Sequence, residues 1–226
     1  MMTVTVVIAQ LIAADKESRK TIIGALKKTG EHSRRREPEV TRYAICLPRD
    51  ESDEKSVWVI EEYASQAGFD AHMGSQAVKD LIAFFGANAT LFGGAPDIST
   101  SEVNSTFTRP ETTKADNPWI CYASIEYKEG KRSEALEGWK HVTAETEKNE
   151  PETLSYSNYK NRDHPETVKT MEVYTSQQYF KDVHVPSKAV QGNLQKHGND
   201  IRVSLKHVSL KLIGGYLAKE KSMSNL

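Results

Sequence analysis

Two histidines, His72 and His184, stand in matching surroundings in the two halves of the chain. His72 follows Phe69 by three residues and His184 follows Phe180 by four, and on a helix both spacings place imidazole and phenyl ring on one face. Upstream of each lies a Glu-x-Tyr, Glu61 with Tyr63 and Glu172 with Tyr174, whose members share a face if the segment is a strand. An imidazole titrates close to neutral pH and suits a general base. A tyrosine hydroxyl can donate to an oxygen that gains negative charge, and a nearby carboxylate can orient the imidazole. The chemistry available to such a set is proton abstraction from a weakly acidic substrate and stabilisation of the resulting anion. A fold that needs a histidine to tie a helix to its neighbour would produce the same recurrence. For His72 both roles are open. For His184, close to Pro186, the structural role is expected, as are paired or exposed roles for the two glutamates.

These residues belong to a longer repeat. EEYASQAGFDAHMGSQAV, Glu61 to Val78, returns as EVYTSQQYFKDVHVPSKAV, Glu172 to Val190. Glu37-Pro38-Glu39 returns as Glu150-Pro151-Glu152, and Tyr43 as Tyr156, so the chain reads as a tandem repeat. In the first unit, Val4 to Leu11 reads as a buried strand. A helix follows in which Ile22, Ile23, Leu26 and Thr29 recur at helical spacing. Pro38 stops that helix, because proline disfavours helical geometry in the preceding residue. Val40 to Leu47 and a segment from Val57 read as strands two and three. Ser65 is the expected N-cap of a short helix, and Ser75 of its continuation after a break at Gly74-Ser75. Ile98 to Phe107 closes the unit as a fourth strand. Residues 109–118 are the expected linker between units 1–108 and 119–226. The second unit repeats the order with strands from Trp119 to Tyr127 and Val168 to Tyr174, a helix from Lys131 to Glu147, a broken helix from Gln177 to Gln195, and a long last strand from Ile201 to Tyr216. Each unit is β-α-β-β-α-β, the ferredoxin-like order. Two helices cover only one face of such a sheet, so the expected fold is α+β, with two fused ferredoxin-like units packed sheet to sheet as an intramolecular pseudo-dimeric α+β barrel.

Composition narrows the function. Thirty basic and thirty-one acidic residues are intermixed along the chain, which argues against nucleic acid as a partner. Arg34-Arg35-Arg36, followed at once by Glu37, reads as a solvated helix end. Cys46 and Cys121 have no zinc-ligand spacing and cannot make a disulfide framework, so a reduced cytoplasmic protein with no metal is expected. No membrane span is expected, since no apolar run approaches the length one needs. No GxGxxG, P-loop, HExxH or GxSxG pattern occurs.

The Glu-x-Tyr strand end, the Phe-x-x-His helix with its following serine, and the Glu-Pro-Glu segment with Tyr43 or Tyr156 resemble the antibiotic biosynthesis monooxygenase family of dimeric α+β barrels. The resemblance covers nearly the whole chain, twice, and its tandem form suggests a fungal source. It implies oxidation of a hydrophobic small molecule, an anthrone- or quinol-like aromatic or an oxylipin, by O2 without a cofactor. It further implies His72, Tyr63, His184 and Tyr174 as catalytic candidates. Substrate-lining candidates are Trp58, Phe69, Met73, Tyr43, Tyr122, Trp139, Tyr156 and Phe180. Of the two units the first, with Asp-Ala-His-Met-x-Ser, lies nearer the family pattern. Haem-degrading relatives carry an iron-ligating histidine about ten residues beyond the position of His72. Here Ile82 and Leu194 stand there, with His197 near the latter, so haem is not expected. Fusion of the units implies a monomer or weak homodimer. A non-catalytic binding or stress protein and an isomerase or cyclase are the competing readings.

Overall fold

The computed structural model describes residues 4–219. The elements are β1 (Thr5–Ile12), α1 (Lys16–Arg36), β2 (Val40–Pro48), β3 (Ser56–Tyr63), α2 (Gln66–Gly74), α3 (Gln76–Ala87) and β4 (Asp97–Thr108). The second unit follows with β5 (Trp119–Tyr127), α4 (Arg132–Asn149), β6 (Thr153–Asn161), β7 (Thr167–Tyr174), α5 (Gln177–Tyr179), α6 (Lys188–His197) and β8 (Arg202–Tyr216). The Asp15 side chain caps α1 by accepting from the Ser18 amide at 2.8 Å. Arg34, Arg35 and Arg36 occupy the last turn of α1, where the helix dipole favours cations. The apolar spacing ends at Thr29, yet the helix runs on to Arg36 and stops where Pro38 requires it.

All strand pairs are antiparallel, and the eight strands close in the order β1-β3-β2-β8-β5-β7-β6-β4. Within each unit the last strand lies beside the first, and its other edge pairs with the opposite unit: β4 with β6, β8 with β2. These two exchanged pairings close the barrel. Strand alternation then sorts side chains. Val6, Ile8, Ala44, Cys46, Ile60, Ile120, Tyr122, Met171, Val173 and Leu210 fill the interior. Leu11, Val40, Tyr43, Ile45, Val57, Val59 and Tyr63 face outward and are covered by Ile22 and Leu26 of α1 with residues of α2 and α3. The outer face of the second unit is covered in the same way by α4 and α6.

The barrel interior also holds Arg42, 2% exposed. Its guanidinium donates to Leu217 O (2.9 Å), Glu62 Oε2 (3.2 Å), Tyr159 OH (3.3 Å) and Ser155 Oγ (3.1 Å). A buried charge is tolerated when it is paired and hydrogen-bonded, and here Glu62 pairs it and each guanidinium nitrogen has an acceptor. Residues 109–118 are held against β6: Thr112 Oγ1 donates to Leu154 O at 2.8 Å, and Arg109 Nε to Thr153 O at 2.9 Å.

Candidate active site

Each unit has the same constellation between the outer face of its sheet and its helices. His72, 2% exposed, lies on α2 with its ring 5.3 Å from that of Tyr63 and 6.1 Å from that of Tyr43. Its Nδ1 is 2.7 Å from Glu37 Oε2 and 3.4 Å from Ser33 Oγ. His184, 3% exposed, sits 5.1 Å from Tyr174 and 5.4 Å from Tyr156, and its Nδ1 is 2.8 Å from Glu150 Oε2. The helix break fixes both histidines. Ser75 donates its amide to His72 O at 3.0 Å and caps α3 through Oγ, and Ser187 does the same for His184 O and α6.

Glu37 and Glu150 are thus the residues that orient the two imidazoles, a role the sequence had offered to Glu61 and Glu172. Those two instead accept from the hydroxyls of Tyr63 and Tyr174, their neighbours on the same strand face. The repeated Glu-Pro-Glu carried the signal, but proline alone explained its helix-stopping effect and hid the first glutamate's second use. Its third residue is a latch: Ser65 donates to Glu39 and Thr175 to Glu152, at 2.7 and 2.6 Å.

The electrostatics follow from these contacts. Burial would raise the Glu37 carboxyl, but hydrogen bonds from Ser33 and His72 and the His72 charge outweigh it and hold the group below its usual range. Glu150 is lowered likewise: burial opposes, and the hydrogen bond and charge of His184, with Thr153 and Thr146, prevail. Glu61 is raised by burial, which the His72 charge and the Tyr63 hydroxyl offset only in part. Burial, reinforced by the Glu61 carboxylate, pushes the Tyr63 phenol far above its ordinary value, so it is a donor and not a base. Among the described residues the buried hydroxyls of Tyr43 and Tyr156, and Glu37 Oε1, find no hydrogen-bond partner at ordinary hydrogen-bond distance. That carboxylate oxygen lies 3.6 Å from Nε2 of His32, a half-exposed residue.

A depressed carboxyl stabilises the fold above its unfolded-state value and loses that contribution as pH falls through the lower folded value. Unfolding midpoints measured from pH 6 downward should therefore decline as pH drops below about 4.5, the ordinary glutamate value. Glu37→Gln and Glu150→Gln should each flatten the decline, and an unchanged slope in both would contradict the pairing.

The aromatic candidates do not form one pocket. Tyr43 adjoins His72 and Phe69 packs edge-on against Tyr63, while Tyr156 and Phe180 adjoin His184. Trp58 and Tyr122 lie inside the barrel, rings 5.1 Å apart, because Trp58 is one residue out of phase with the outward Val57 and Val59. Trp139 is half-buried on α4 and donates to Tyr127 OH at 2.8 Å. Met73 is 42% exposed and lines neither histidine site.

The halves differ in two respects. The extra residue between Phe180 and His184 forms a π-helical turn, Phe180–His184, closed by Val185 N to Phe180 O at 3.0 Å. It stacks Phe180 on His184 with planes 21° apart. Between α1 and α3 runs a groove of about 640 Å³ whose walls include Gly24, Ala25, Thr29, His32, Leu81 and Phe84. Its counterpart between α4 and α6 holds about 360 Å³. Each site is completed from the other unit. Tyr216 of β8 packs on Tyr43 and donates to Val40 O at 3.0 Å, while Lys219 Nζ donates to Ser33 O at 2.8 Å and Glu37 O at 2.5 Å. In the second unit Phe107 of β4 packs on Tyr156, and Arg109 Nη2 donates to Glu147 O at 2.5 Å. None of these cross-unit partners was among the sequence candidates.

The model of the antibiotic biosynthesis monooxygenase family matches residues 5–83 and 118–191, one match over each constellation. The chain belongs to this family. Among solved structures, a candidate monooxygenase from Lactobacillus acidophilus is similar at 15% identity, with a TM-score of 0.77, over 96% of this chain and 100% of its own. One from Fusobacterium nucleatum is similar at 18% identity and a TM-score of 0.79, covering 97% of this chain and 99% of its own. An anthrone oxidase-like protein is similar at 11% identity and a TM-score of 0.67, over 100% of this chain and 98% of its own. No curated protein matches the chain. These likenesses show a shared fold. Two of them are bacterial, so this doubled fold is not confined to fungi. Among the described residues no group of three His, Cys, Asp or Glu side chains could hold a metal ion, and no helix is long and apolar enough to cross a membrane.

Proposed function

We propose that this member of the antibiotic biosynthesis monooxygenase family is a monooxygenase whose first unit takes a proton from an enolisable or phenolic hydrophobic molecule and delivers the resulting electrons to O2. The observation that carries the reading is the Glu37–His72 pair beside the unpartnered Tyr43 hydroxyl. With the Nδ1 proton shared with Glu37, Nε2 is the basic nitrogen, and the carboxylate stabilises the imidazolium formed when it accepts a proton. The Tyr43 hydroxyl donates to the oxygen on which negative charge develops. For an anthrone-like CH2 group the carbanion passes one electron to O2, and radical and superoxide combine into a C–O bond. A second C–H proton is then lost as the O–O bond breaks, and the departing hydroxide takes the proton held by His72. The balance is one CH2 and one O2 to one carbonyl and one water.

The first unit is favoured because the larger groove reaches Thr29 and His32 on α1, four residues and one residue before Ser33, with Glu37 capping the same helix. His32, near the free oxygen of Glu37, gives the proton a way out to solvent. Among the described residues the barrel closes without a free sheet edge, which argues against pairing by strand addition and supports a monomer or weak homodimer. The expected result with anthrones, quinols and oxylipins is O2 uptake equal to product formed, with one atom of labelled O2 in the product. A product of unchanged mass would point to an isomerase or cyclase, and tight binding with no O2 uptake to a binding protein. Either outcome would end the oxygenase reading.

A further inference from the structure

The barrel interior holds a second buried cation, and unlike Arg42 it has fewer acceptors than donors among the described residues. Lys169, 6% exposed, projects inward from β7 beside Tyr159 of β6, its register partner. Its ammonium carries three donors, yet among the described residues it has one hydrogen-bond partner, Ser99 Oγ of β4, and no ion pair. Asp97 and Asp163 favour its charge from beyond contact, while burial, the larger effect, pushes its pKa down.

The inner surface around Lys169 is rich in donors that have no partner among the described residues. Ser101 shares the inward face of β4 with Ser99, is fully buried, and its hydroxyl has no partner. Asn161 of β6, the register partner of Ser101, is 2% exposed. Its Oδ1 accepts from the Asp163 and His164 amides, which fixes the orientation of an unpartnered Nδ2. Trp58, inward on β3, has a buried and unpartnered Nε1, and its ring lies against Tyr122. Lys169, Ser99, Asn161 and Trp58 all stand within a few residues of the strand ends at the Asp97 mouth of the barrel. Arg42 answers the same interior with protein acceptors on every nitrogen. At the Asp97 mouth the acceptors must come from elsewhere, because unpaired buried donors and an uncompensated ammonium each cost stability.

We infer that the mouth of the barrel at Lys169 is a binding site for a small organic acid, its carboxylate held by Lys169, Ser101 and Asn161 and its flat apolar body by Trp58 and Tyr122. A carboxylate is acceptor-only and matches a donor set centred on an ammonium. The aromatic pair selects a planar acid over a bare ion. This site lies on the opposite face of the sheet from His72 and does not depend on the oxygenase reading.

Benzoate, acetate and inorganic phosphate are suitable probes, followed through the Trp58 indole N–H resonance and by calorimetry on the intact chain. Benzoate should bind saturably and shift that resonance, at least tenfold more tightly than acetate or phosphate. Lys169→Met should weaken benzoate at least tenfold while leaving O2 uptake unchanged. Trp58→Phe, which removes only one ring and the N–H, should weaken it several-fold and serves if the methionine variant does not fold. Absence of a saturable shift, indicating that water alone fills these positions, would overturn the inference. So would benzoate binding that both variants leave intact.

Discussion

Turnover should fall by roughly two to three orders of magnitude when His72 is replaced by asparagine, the range expected for loss of a positioned general base. Asparagine is the informative choice because its side-chain amide can still donate to Glu37 Oε2 from near the position of Nδ1, while nothing replaces the basic Nε2. Alanine would leave the Glu37 carboxylate buried without its partner, and breaking a buried pair in that way typically costs about 3–5 kcal/mol. A loss of activity in the alanine variant would therefore mix chemistry with unfolding. Rates of O2 uptake and unfolding midpoints of His72→Asn and His184→Asn should be compared side by side. The expected pattern is a large kinetic loss at small thermal cost for His72, and a much smaller kinetic loss for His184. Equal thermal losses with turnover retained would assign both histidines to holding their helices.

The largest single-residue effect on stability is expected at Gly215. Its φ is +72°, and an added Cβ would lie 1.8 Å from the carbonyl oxygen of Tyr43, on the neighbouring strand β2. The left-handed conformation alone costs an alanine about 1–2 kcal/mol. Relieving the overlap must also push β8 away from β2, so a total of roughly 3–5 kcal/mol is expected. For a chain of this size that is a fall in unfolding midpoint on the order of 10 °C. Gly86→Ala, in α3 with open space around the added carbon, is the control and should be neutral or slightly stabilising. Because the β8–β2 pairing carries Tyr216 to Val40 O and Lys219 to Glu37 O, Gly215→Ala should also disturb the first site and spare the second.

Much of this architecture was legible in the sequence because its signals are local. The repeat placed the elements, Pro38 and Pro151 ended α1 and α4, and Ser75 marked the helix break that pins His72. Pairing each unit's last strand with the other unit was not legible, since it joins Tyr43 to Tyr216 through a register that no nearby residue announces. For the same reason Lys219 and Arg109 could not be seen as partners of the opposite half. The aromatic residues misled because composition ignores strand phase: Trp58 and Val59 are adjacent in sequence and face opposite sides of the sheet. Glu37 was readable in principle, since its motif recurs. Nothing local, however, shows that a carboxylate at a helix end meets an imidazole two strands and a loop later.

The joined units have a consequence for how such a protein can change. In a symmetric homodimer one gene writes every substitution into both sites, so a residue that improves one and harms the other cannot be kept. Here the two sites are encoded separately, although each borrows a strand from its neighbour. The record of that freedom is already visible: His32 where the second unit has Glu145, Trp58 where it has Lys169, and an extra residue wound into the turn before His184. One copy can keep an inherited reaction while the other drifts, provided that β4 and β8 continue to fit across the seam.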